Sequence, residues 1–440
     1  MRYSLIALRE DFWSFSTVLG LLGKKALLPP LGLLTVAALL PSNWTIEVVD
    51  LNAKELSEEM WTRCDVIFVT GIFVQYAEIM AMIRQGKKRG KRVIVGGPCA
   101  FHFAEDALQN GADFVVRGEG EVGVPNVLRG LNLGESGRLI EAQPLCVLRD
   151  SPAPRYDLID LNCYVDMAVQ FSRGCPFQCE FCDVHRMLGR TVRTKMPAQI
   201  LNELETLYRM GWKRSVFFVD DNFSGSSVGA KELLREMIPW LKVREFPFEF
   251  YTQASVNVAS DSELLDLMVE AGFFRVFLGI ETPLTESLKL TKKPQNVIVD
   301  LDATCEKIQR AGLQIMAGCI MGFDDEPGGA DQRLIDFAAR NRIADMSINL
   351  LEATPGTDLW RRLEGEGRLR WTGYESNFGS QTSSINFVPT RPIKEIEEEF
   401  IRTYEVLYDP KNYLYRVLNQ FMLISQSSKK RELNSSPSLS

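Results

Sequence analysis

Three cysteines, Cys175, Cys179 and Cys182, follow one another with the spacing C-x3-C-x2-C. Thiolates are soft ligands that suit iron–sulfur clusters or zinc. A structural zinc site takes four ligands, whereas three thiolates on a cubane leave one iron open for catalysis. His185, one of only 2 histidines in the chain, lies just after the group and would complete a zinc site, as would a distant cysteine. The spacing alone therefore predicts a metal centre and leaves both kinds open.

The other cysteines and the N-terminal sequence predict that this centre lies in a reducing compartment. The other cysteines are scattered rather than spaced as a disulfide framework, which predicts packing residues. The acidic residues Glu10 and Asp11 precede any long apolar run, and the run over residues 26–40 is broken by Pro29 and Pro30. These features predict neither a signal peptide nor a transmembrane segment, hence a cytoplasmic protein. The formal net charge of −7 disfavours nucleic acid as a partner.

Residues 1–140 alternate short apolar runs with helical patterns. The predicted strands are Tyr3–Leu8, Thr45–Val49, Asp65–Thr70, Arg92–Val95 and Phe114–Val116. The predicted helices include Leu31–Leu40 and Tyr76–Arg89. Continuous apolar strands between helices are typical of a parallel sheet that is covered on both faces. The sequence therefore predicts an α/β domain with a doubly wound, Rossmann-like parallel sheet.

Glycines follow three of these predicted strands. They are Gly71, the pair Gly96-Gly97, and the glycines of the segment Arg117-Gly118-Glu119-Gly120-Glu121. Ligands of doubly wound sheets bind at the carboxyl ends of the strands. The glycines thus indicate a binding site at that edge, and the alternative is that they only make tight turns.

After a predicted linker over residues 141–166, a second alternation indicates a partial (β/α)6 barrel of the TIM type over residues 167–370. Function in such barrels lies at the carboxyl ends of the strands. A helical C-terminal extension is predicted over residues 371–424, followed by a serine-rich, disordered tail over 425–440. The predicted barrel strands are Met167–Ser172, Ser215–Asp220, Pro247–Thr252, Arg275–Ile280, Leu313–Ile320 and Met346–Leu351, and the helices between them include Pro197–Met210, Asp261–Ala271 and Asn296–Ala311.

The cysteine motif at the end of the first barrel strand, with the aromatic Phe181 before its last cysteine, resembles that of the radical S-adenosylmethionine (SAM) superfamily. The resemblance implies a 4Fe–4S cluster whose open iron chelates the amino and carboxylate groups of SAM. Electron transfer from the reduced cluster then breaks a carbon–sulfur bond and gives a 5′-deoxyadenosyl radical. Phe181 would contact the adenine region. The resemblance favours the cluster over zinc.

Later strand ends carry further motifs in the order of that superfamily. Asp220 and Asp221 end the second barrel strand, where the family places groups for the methionine amine, although the usual Gly-Gly-Glu is absent. Glu281 ends the fourth strand, where the ribose is held. Gly318 and Ile320 belong to a fifth-strand pattern near the adenine. Each motif alone fits ordinary turn chemistry, and their order after the cysteines carries the resemblance.

The N-terminal half carries Pro29-Pro30-Leu31-Gly32-Leu33-Leu34, Gly96-Gly97-Pro98 and Arg117-Gly118-Glu119-Gly120-Glu121. With these segments the chain resembles the cobalamin-binding subclass over about residues 1–370. With Phe12-Trp13-Ser14-Phe15 and Lys24-Lys25-Ala26 it looks most like the group that contains the hopanoid methylases. The subclass places methylcobalamin between the two domains, so Gly71, Gly96, Gly97 and Glu119 are the implied contacts. The Asp-x-His-x-x-Gly motif that supplies a lower cobalt ligand in many cobalamin proteins is missing. His102 is the candidate to approach the cobalt, and the alternative is a loop histidine with a local hydrogen bond.

The resemblance predicts a cobalamin-dependent radical SAM methyltransferase that acts on an unactivated carbon and takes electrons from a flavodoxin or ferredoxin. The alternatives are a radical enzyme without cobalamin, which forms another bond or rearranges its substrate, and a zinc-stabilised binding module. Apolar side chains near both ends suggest an apolar or lipid-like metabolite, unless they only pack between domains. These are Phe12, Trp13, Phe15, Leu19, Leu21, Leu22, Tyr404, Tyr408, Tyr413 and Tyr415.

Overall fold

The computed structural model describes residues 2–7, 16–370 and 385–435, with side chains described for residues 19–370 and 385–425. Its first sheet is six-stranded and parallel throughout, in the order β2-β1-β3-β4-β5-β6. The strands are β1 (Arg2–Ala7), β2 (Thr45–Asp50), β3 (Val66–Thr70), β4 (Arg92–Gly96), β5 (Phe114–Gly118) and β6 (Arg138–Ala142). The sequence did not predict β6, because this edge strand is half exposed and lacks a continuous apolar run.

Helices cover both faces of this sheet. They are α1 (Ser16–Leu21), α2 (Leu31–Leu39), α3 (Glu58–Arg63), α4 (Tyr76–Lys88), α5 (Pro98–Gln109) and α6 (Gly120–Asn132). Successive side chains of a strand point to opposite faces. In β3, Val66 and Phe68 pack in the core beside α2 and α6, and Ile67 and Val69 pack in the core beside α3, α4 and α5. This arrangement confirms the predicted doubly wound sheet.

The second sheet is also parallel, with six strands in sequence order from β7 to β14. A two-stranded antiparallel ribbon, β8–β9, follows the first strand. The six parallel strands in sequence order confirm the predicted partial barrel. The strands are β7 (Met167–Val169), β8 (Ser172–Arg173), β9 (Arg193–Thr194), β10 (Val216–Phe218), β11 (Phe250–Ala254), β12 (Phe273–Glu281), β13 (Gln314–Met321) and β14 (Asp345–Leu350).

The barrel helices differ from the sequence prediction at one place. The predicted helix Asn296–Ala311 is broken, because the Asp300 side chain accepts a hydrogen bond from Ala303 N at 3.1 Å and starts a new helix there. The helices are α7 (Val184–Met187), α8 (Pro197–Arg209), α9 (Ser227–Val243), α10 (Ser262–Glu270), α11 (Thr285–Leu290), α12 (Pro294–Val297), α13 (Leu301–Ala311), α14 (Ala330–Arg340) and α15 (Asp358–Gly365).

Two helices, α16 (Ile393–Leu407) and α17 (Pro410–Ser435), cover the open edge of the barrel. The Tyr404 hydroxyl donates to Ile348 O at 2.8 Å and accepts from Ile348 N at 3.2 Å. The Tyr408 hydroxyl bonds the backbone of Met346 in the same way. The two tyrosines therefore provide hydrogen-bond partners for backbone N–H and C=O groups of β14, the edge strand of the sheet. Helix α17 continues past residue 425 and ends at Ser435, so the predicted disordered tail is helical over this stretch. The residues between these positions include good helix formers.

The two sheets share one hydrophobic core, since side chains of α2 and α6 belong to the same cluster as the barrel interior. Of the apolar residues predicted near the N-terminus, Phe12, Trp13 and Phe15 lie outside the described residues. Leu21 and Leu22 are 84% and 58% exposed, so neither packs between the domains. Within the described part of the chain, every helix is too short or too polar to cross a membrane.

Candidate active site between the two sheets

The cysteine loop runs from β8 to α7 at the carboxyl end of the barrel. Its three thiols, on Cys175, Cys179 and Cys182, are all free of disulfides. Gly174 opens the loop at φ +99°, and a Cβ there would lie 2.6 Å from Thr191 O, so only glycine fits. Burial raises the pKa of each of the three thiols, and the Lys293 ammonium opposes that rise at Cys175 and Cys179. The loop thus presents three sulfur ligands that form no disulfide, and the buried cation Lys293 lies near them.

Among the described residues, no group of three or more His, Cys, Asp or Glu side chains is arranged to hold one metal ion. A structural zinc site needs four ligands converging on one ion. In an iron–sulfur cubane each thiolate binds a different iron, so the thiols surround a cluster rather than a single ion. Three free cysteines on one short loop fit a cluster with an open iron.

The two acidic residues after β10 have different environments. Asp220 is fully buried, and its carboxylate accepts from Phe171 N at 3.1 Å and from the backbone and hydroxyl of Ser172. The protein itself thus uses the Asp220 carboxylate to hold the start of the cysteine loop, and the cofactor contact at this residue stays a prediction. Asp221, by contrast, lines a cavity and is exposed to it. Desolvation by the protein around the cavity, together with the charges of Asp220 and Asp183, raises its pKa to about 7.

Glu281 ends β12 at a bulge, with φ +63°. It is 7% exposed and forms an ion pair with Lys293, which is 6% exposed. A Cβ at Gly279 would lie 2.7 Å from Lys293 Nζ, so the glycine leaves room for this pair. Asn296 Nδ2 donates to Gly279 O at 2.9 Å and ties the following segment to the strand. The sequence analysis did not identify Lys293, which no local pattern marks, and it placed Asn296 at the start of the predicted helix Asn296–Ala311.

On β13, the two predicted residues differ in role. A Cβ on Gly318 would lie 2.5 Å from the Phe277 ring, so this glycine accommodates a neighbouring side chain on β12. Ile320 is half-buried near the end of the strand. The Phe181 ring lies 6.3 Å from that of Phe323, which places it beside the end of β13. Phe181 and Ile320 therefore lie at the same end of the barrel as the cysteines.

Glu326, in the turn after β13, is 2% exposed and accepts from Gly322 N at 2.9 Å. Burial raises its pKa to about 7, so the folded state favours the protonated form and loses stability as pH rises from about 4.5 through 7. Glu326→Gln is therefore expected to raise the free energy of unfolding by about 1–3 kcal/mol at pH 8, with a smaller gain at pH 5.5. Urea denaturation at both pH values measures this. Glu364→Gln, at an exposed glutamate, is the matched control, and an equal gain at both pH values would contradict the assignment.

A cavity of about 450 Å³ lies between the two sheets. One wall comes from the carboxyl ends of β3, β4 and β5, and includes the predicted residues Gly96, Gly97 and Glu119. The opposite wall comes from the barrel and includes Arg173 and Asp221. Most of the lining is apolar, from Leu31, Leu33, Val36, Leu39, Phe68, Phe101, Val124, Met187 and Leu188. The cavity is thus open both to the glycine edge of the first sheet and to the start of the cysteine loop.

Gly71 and His102 do not line this cavity. Gly71 O accepts from Cys99 N at 3.0 Å, so this glycine serves the turn before α5. The His102 ring joins the domains, with Nδ1 2.9 Å from Pro355 O and Nε2 3.1 Å from Asp183 Oδ2. The cobalamin contact at Gly71 and the approach of His102 to the cobalt therefore stay predictions, and the lining of this cavity does not support them. His102 lies on a helix rather than a loop, and both its partners are in the barrel domain.

An ion network missed by sequence analysis closes one side of the cavity. Arg173 Nη1 lies 3.1 Å from Glu119 Oε1, and Arg173 Nη2 lies 2.8 Å from Glu121 Oε1. Arg193 Nη1 lies 2.8 Å from Glu119 Oε2, which also accepts from Cys146 N at 2.7 Å. Burial opposes ionisation of both glutamates, but the arginines outweigh it and lower the two pKa values, that of Glu121 to about 2. The network links the first domain, the linker and the cysteine loop.

Family models match three parts of the chain. They are described as "B12 binding domain" over residues 24–128, "Radical SAM superfamily" over residues 169–338 and "Domain of unknown function (DUF4070)" over residues 357–440. An uncharacterized methyltransferase of Synechocystis sp. is 46% identical over 93% of this chain and 76% of its own length. The hopanoid C-2 methylase of Rhodopseudomonas palustris is 34% identical over 78% of this chain and 66% of its own length.

Two solved structures share the fold. The radical SAM methyltransferase TsrM of Kitasatospora setae, with cobalamin and a [4Fe-4S] cluster bound, aligns with a TM-score of 0.67 at 16% identity, over 96% of this chain and 91% of that one. The cobalamin-dependent SAM radical enzyme OxsB, with aqua-cobalamin and SAM bound, aligns with a TM-score of 0.70 at 16% identity, over 96% and 71%. At these identities the likeness is one of architecture.

Proposed function

We propose, from the premise that the chain belongs to the cobalamin-binding subclass of the radical SAM superfamily, that its catalytic centre is built on Cys175, Cys179 and Cys182. The chain is a cobalamin-dependent radical SAM methyltransferase with a 4Fe–4S cluster, SAM and cobalamin as cofactors. Each of the three thiolates would bind one iron. When bound, the cluster supplies the electron that cleaves SAM. Three free thiols on a loop opened by a glycine support this assignment.

SAM would lie over the carboxyl ends of the barrel strands. We assign Asp221 to its methionine amine, because this carboxylate faces the cavity beside the cysteine loop. Phe181 and Ile320 would hold the adenine, since both lie at the end of β13. Glu281, held by Lys293, would accept hydrogen bonds from the ribose. Gly318 contributes by admitting the Phe277 ring rather than by touching the cofactor.

The observation that carries the function is the cavity between the sheets. Gly96 and Gly97 form part of its wall at the carboxyl edge of a parallel sheet, where ligands of this fold bind. Their missing side chains leave a flat surface for a corrin ring. Glu119 stays bonded to two arginines, so it would border the ring rather than bind the metal. The cavity also meets the barrel at Asp221, which would bring cobalamin and SAM to the same space.

Gly97→Ala tests this placement. Gly97 has φ +81°, and a Cβ there would lie 2.2 Å from Thr70 Oγ1 at the cavity wall. An alanine there strains the backbone by about 1–3 kcal/mol and must displace the turn at the cavity wall. Because this displacement changes the site itself, cobalamin affinity is expected to fall about tenfold. Cobalt content per chain, after purification without oxygen from cells supplied with cobalamin, measures the effect.

The matched control is Gly90→Ala, because Gly90 has φ +70° with nothing within 4 Å of an added Cβ. It also places an alanine at a positive φ, but away from the residues that line the cavity, and is expected to keep wild-type cobalt content. Equal cobalt in both variants would contradict the placement. Methyl transfer by wild-type protein without cobalamin would instead support the cobalamin-independent alternative.

We further propose that the substrate is an apolar or lipid-like small molecule, because the lining of the cavity is mainly apolar. The relatives named hopanoid C-2 and hopanoid C-3 methylase support this class. A methyl-labelled SAM incubated with the enzyme and a lipid extract should transfer its label to the lipid fraction. A flavodoxin or ferredoxin in the reducing cytoplasm would supply the electron, in keeping with cysteines that are all free.

A further inference from the structure

The segment between α11 and α13 packs directly against the cysteine loop. Glu180 N donates to Thr291 O at 3.1 Å, and Gln295 Nε2 donates to Cys179 Sγ at 3.7 Å. Burial raises the pKa of the Cys179 thiol, and the charge of Lys293, two residues before Gln295, opposes that rise. One short segment therefore brings both a hydrogen-bond donor and a buried cation to the sulfur of Cys179.

The Gln295 side chain has no structural task in the described part of the chain besides this contact. It is 4% exposed, its Oε1 has no partner, and its only hydrogen bond is the one to Cys179 Sγ. Gln309 is a buried glutamine whose Oε1 also lacks a partner, but its Nε2 donates to the backbone oxygens of Cys305 and Asn341. The two residues therefore differ in what the amide N–H groups contact. Those of Gln309 hold the backbone, whereas that of Gln295 is directed at the sulfur of Cys179.

We infer that Gln295 tunes the reduction potential of the cluster through its hydrogen bond to Cys179. A cluster takes up one electron from a low-potential donor, so its ligand sulfurs become more negative on reduction. A hydrogen bond to such a sulfur stabilises the reduced form and raises the potential. The charge of Lys293 is already paired with Glu281. Gln295 is therefore the group whose removal changes the sulfur's environment alone. This inference rests on the proposed cluster at the three cysteines.

The segment is fixed well enough to keep this hydrogen bond in place. Asn296 Nδ2 donates to the oxygens of both Gly279 and Ile280, at 2.9 Å and 3.0 Å, and so anchors the residue after Gln295 to β12. On the cysteine side, Arg362 Nη2 lies 2.9 Å from Glu180 Oε1 and holds the residue after Cys179. Both partners of the hydrogen bond are thus held by their sequence neighbours.

The test compares wild-type protein with Gln295→Leu and Gln295→Glu, each loaded with iron and sulfide without oxygen. A redox titration followed by the electron paramagnetic resonance signal of the reduced cluster gives the midpoint potential. We expect Gln295→Leu to shift the midpoint to a more negative value and Gln295→Glu to shift it further, with iron and sulfide per chain unchanged. A stronger reductant should restore 5′-deoxyadenosine formation in Gln295→Leu.

Gln309→Leu is the matched control, since it removes a buried glutamine far from the cysteine loop in sequence. It is expected to lower thermal stability and to keep the wild-type midpoint. A wild-type midpoint in fully loaded Gln295→Leu overturns the inference, and so does a loss of iron from that variant without a shift. Wild-type protein that takes up no cluster would overturn the proposed function instead, so the two failures are distinguishable.

Discussion

Cys179→Ala is expected to abolish the formation of 5′-deoxyadenosine from SAM, down to the background of protein without iron. Cys179 is the middle cysteine of the loop and a buried one, with a hydrogen bond from Gln295 and the charge of Lys293 acting on it. Three thiolates are the minimum set that holds a cubane and leaves one iron open. Removing one leaves two protein ligands, so both cluster content and reductive cleavage should be lost. Iron and sulfide analysis and chromatography of the reaction products measure the two effects.

Cys305→Ala is the matched control for this experiment. Cys305 is also a buried free cysteine, but it lies on α13, and burial raises its thiol pKa to about 12. It should keep both the cluster and the formation of 5′-deoxyadenosine. Deoxyadenosine produced by Cys179→Ala at the wild-type rate would refute the assignment of the cluster. Zinc in place of iron in wild-type protein would point to the binding-module alternative.

Features that depend on residues close together in the chain could be predicted from the sequence. Apart from β6, the strands of the two parallel sheets lie within a few residues of their predicted positions, because continuous apolar runs flanked by glycines and helical patterns mark buried parallel strands. The cysteine loop follows the first barrel strand, as its spacing indicated. Gly96 and Gly97 also line the cavity, because a parallel sheet places its strand ends at one edge.

Features that depend on distant residues could not be predicted. Asp220 has the residue type and the position of a cofactor ligand, yet its carboxylate is taken up by Phe171 and Ser172, across 49 and 48 residues. Gln295 lies 116 residues from Cys179 in sequence. Nothing in the residue types near either position specifies these partners, because they follow from how the barrel closes. A hydrogen bond between two strand ends is a property of the folded sheet and leaves no local pattern.

The junction of the two domains is the clearest case of a feature without a local signal, and it predicts a large effect. Arg173 directly precedes Gly174 and the first cysteine, and its side chain is 12% exposed. It bonds Glu119 and Glu121, which are 2% and 8% exposed in their side chains. Removing one partner of a buried ion pair leaves an uncompensated buried charge. Loss of Arg173 is therefore expected to destabilise the protein mainly because it leaves buried carboxylate charge without a partner.

Arg173→Ala is expected to lower the free energy of unfolding by about 3–5 kcal/mol at pH 7.5. The difference in the free energy of unfolding between this variant and the wild type should become smaller as the pH falls from about 5 towards 3. Glu121 has a pKa of about 2 in the folded protein, against the usual 4.5. Its contribution to stability is therefore present above pH 4.5 and declines as the pH falls through 2. Urea denaturation of both proteins across this pH range measures the difference.

Arg209→Ala is the control for removing an arginine as such. Arg209 pairs with Glu205 at 2.7 Å on the surface, with 78% of its side chain exposed. Exposed pairs contribute about 0–1 kcal/mol, so this variant should stay close to wild type at every pH. A loss below about 1 kcal/mol in Arg173→Ala, or a loss that does not change between pH 7.5 and pH 3, would show that the network is not what joins the domains. A loss of the expected size would make the residue beside the cysteine loop also the one that holds the cobalamin-binding domain against it.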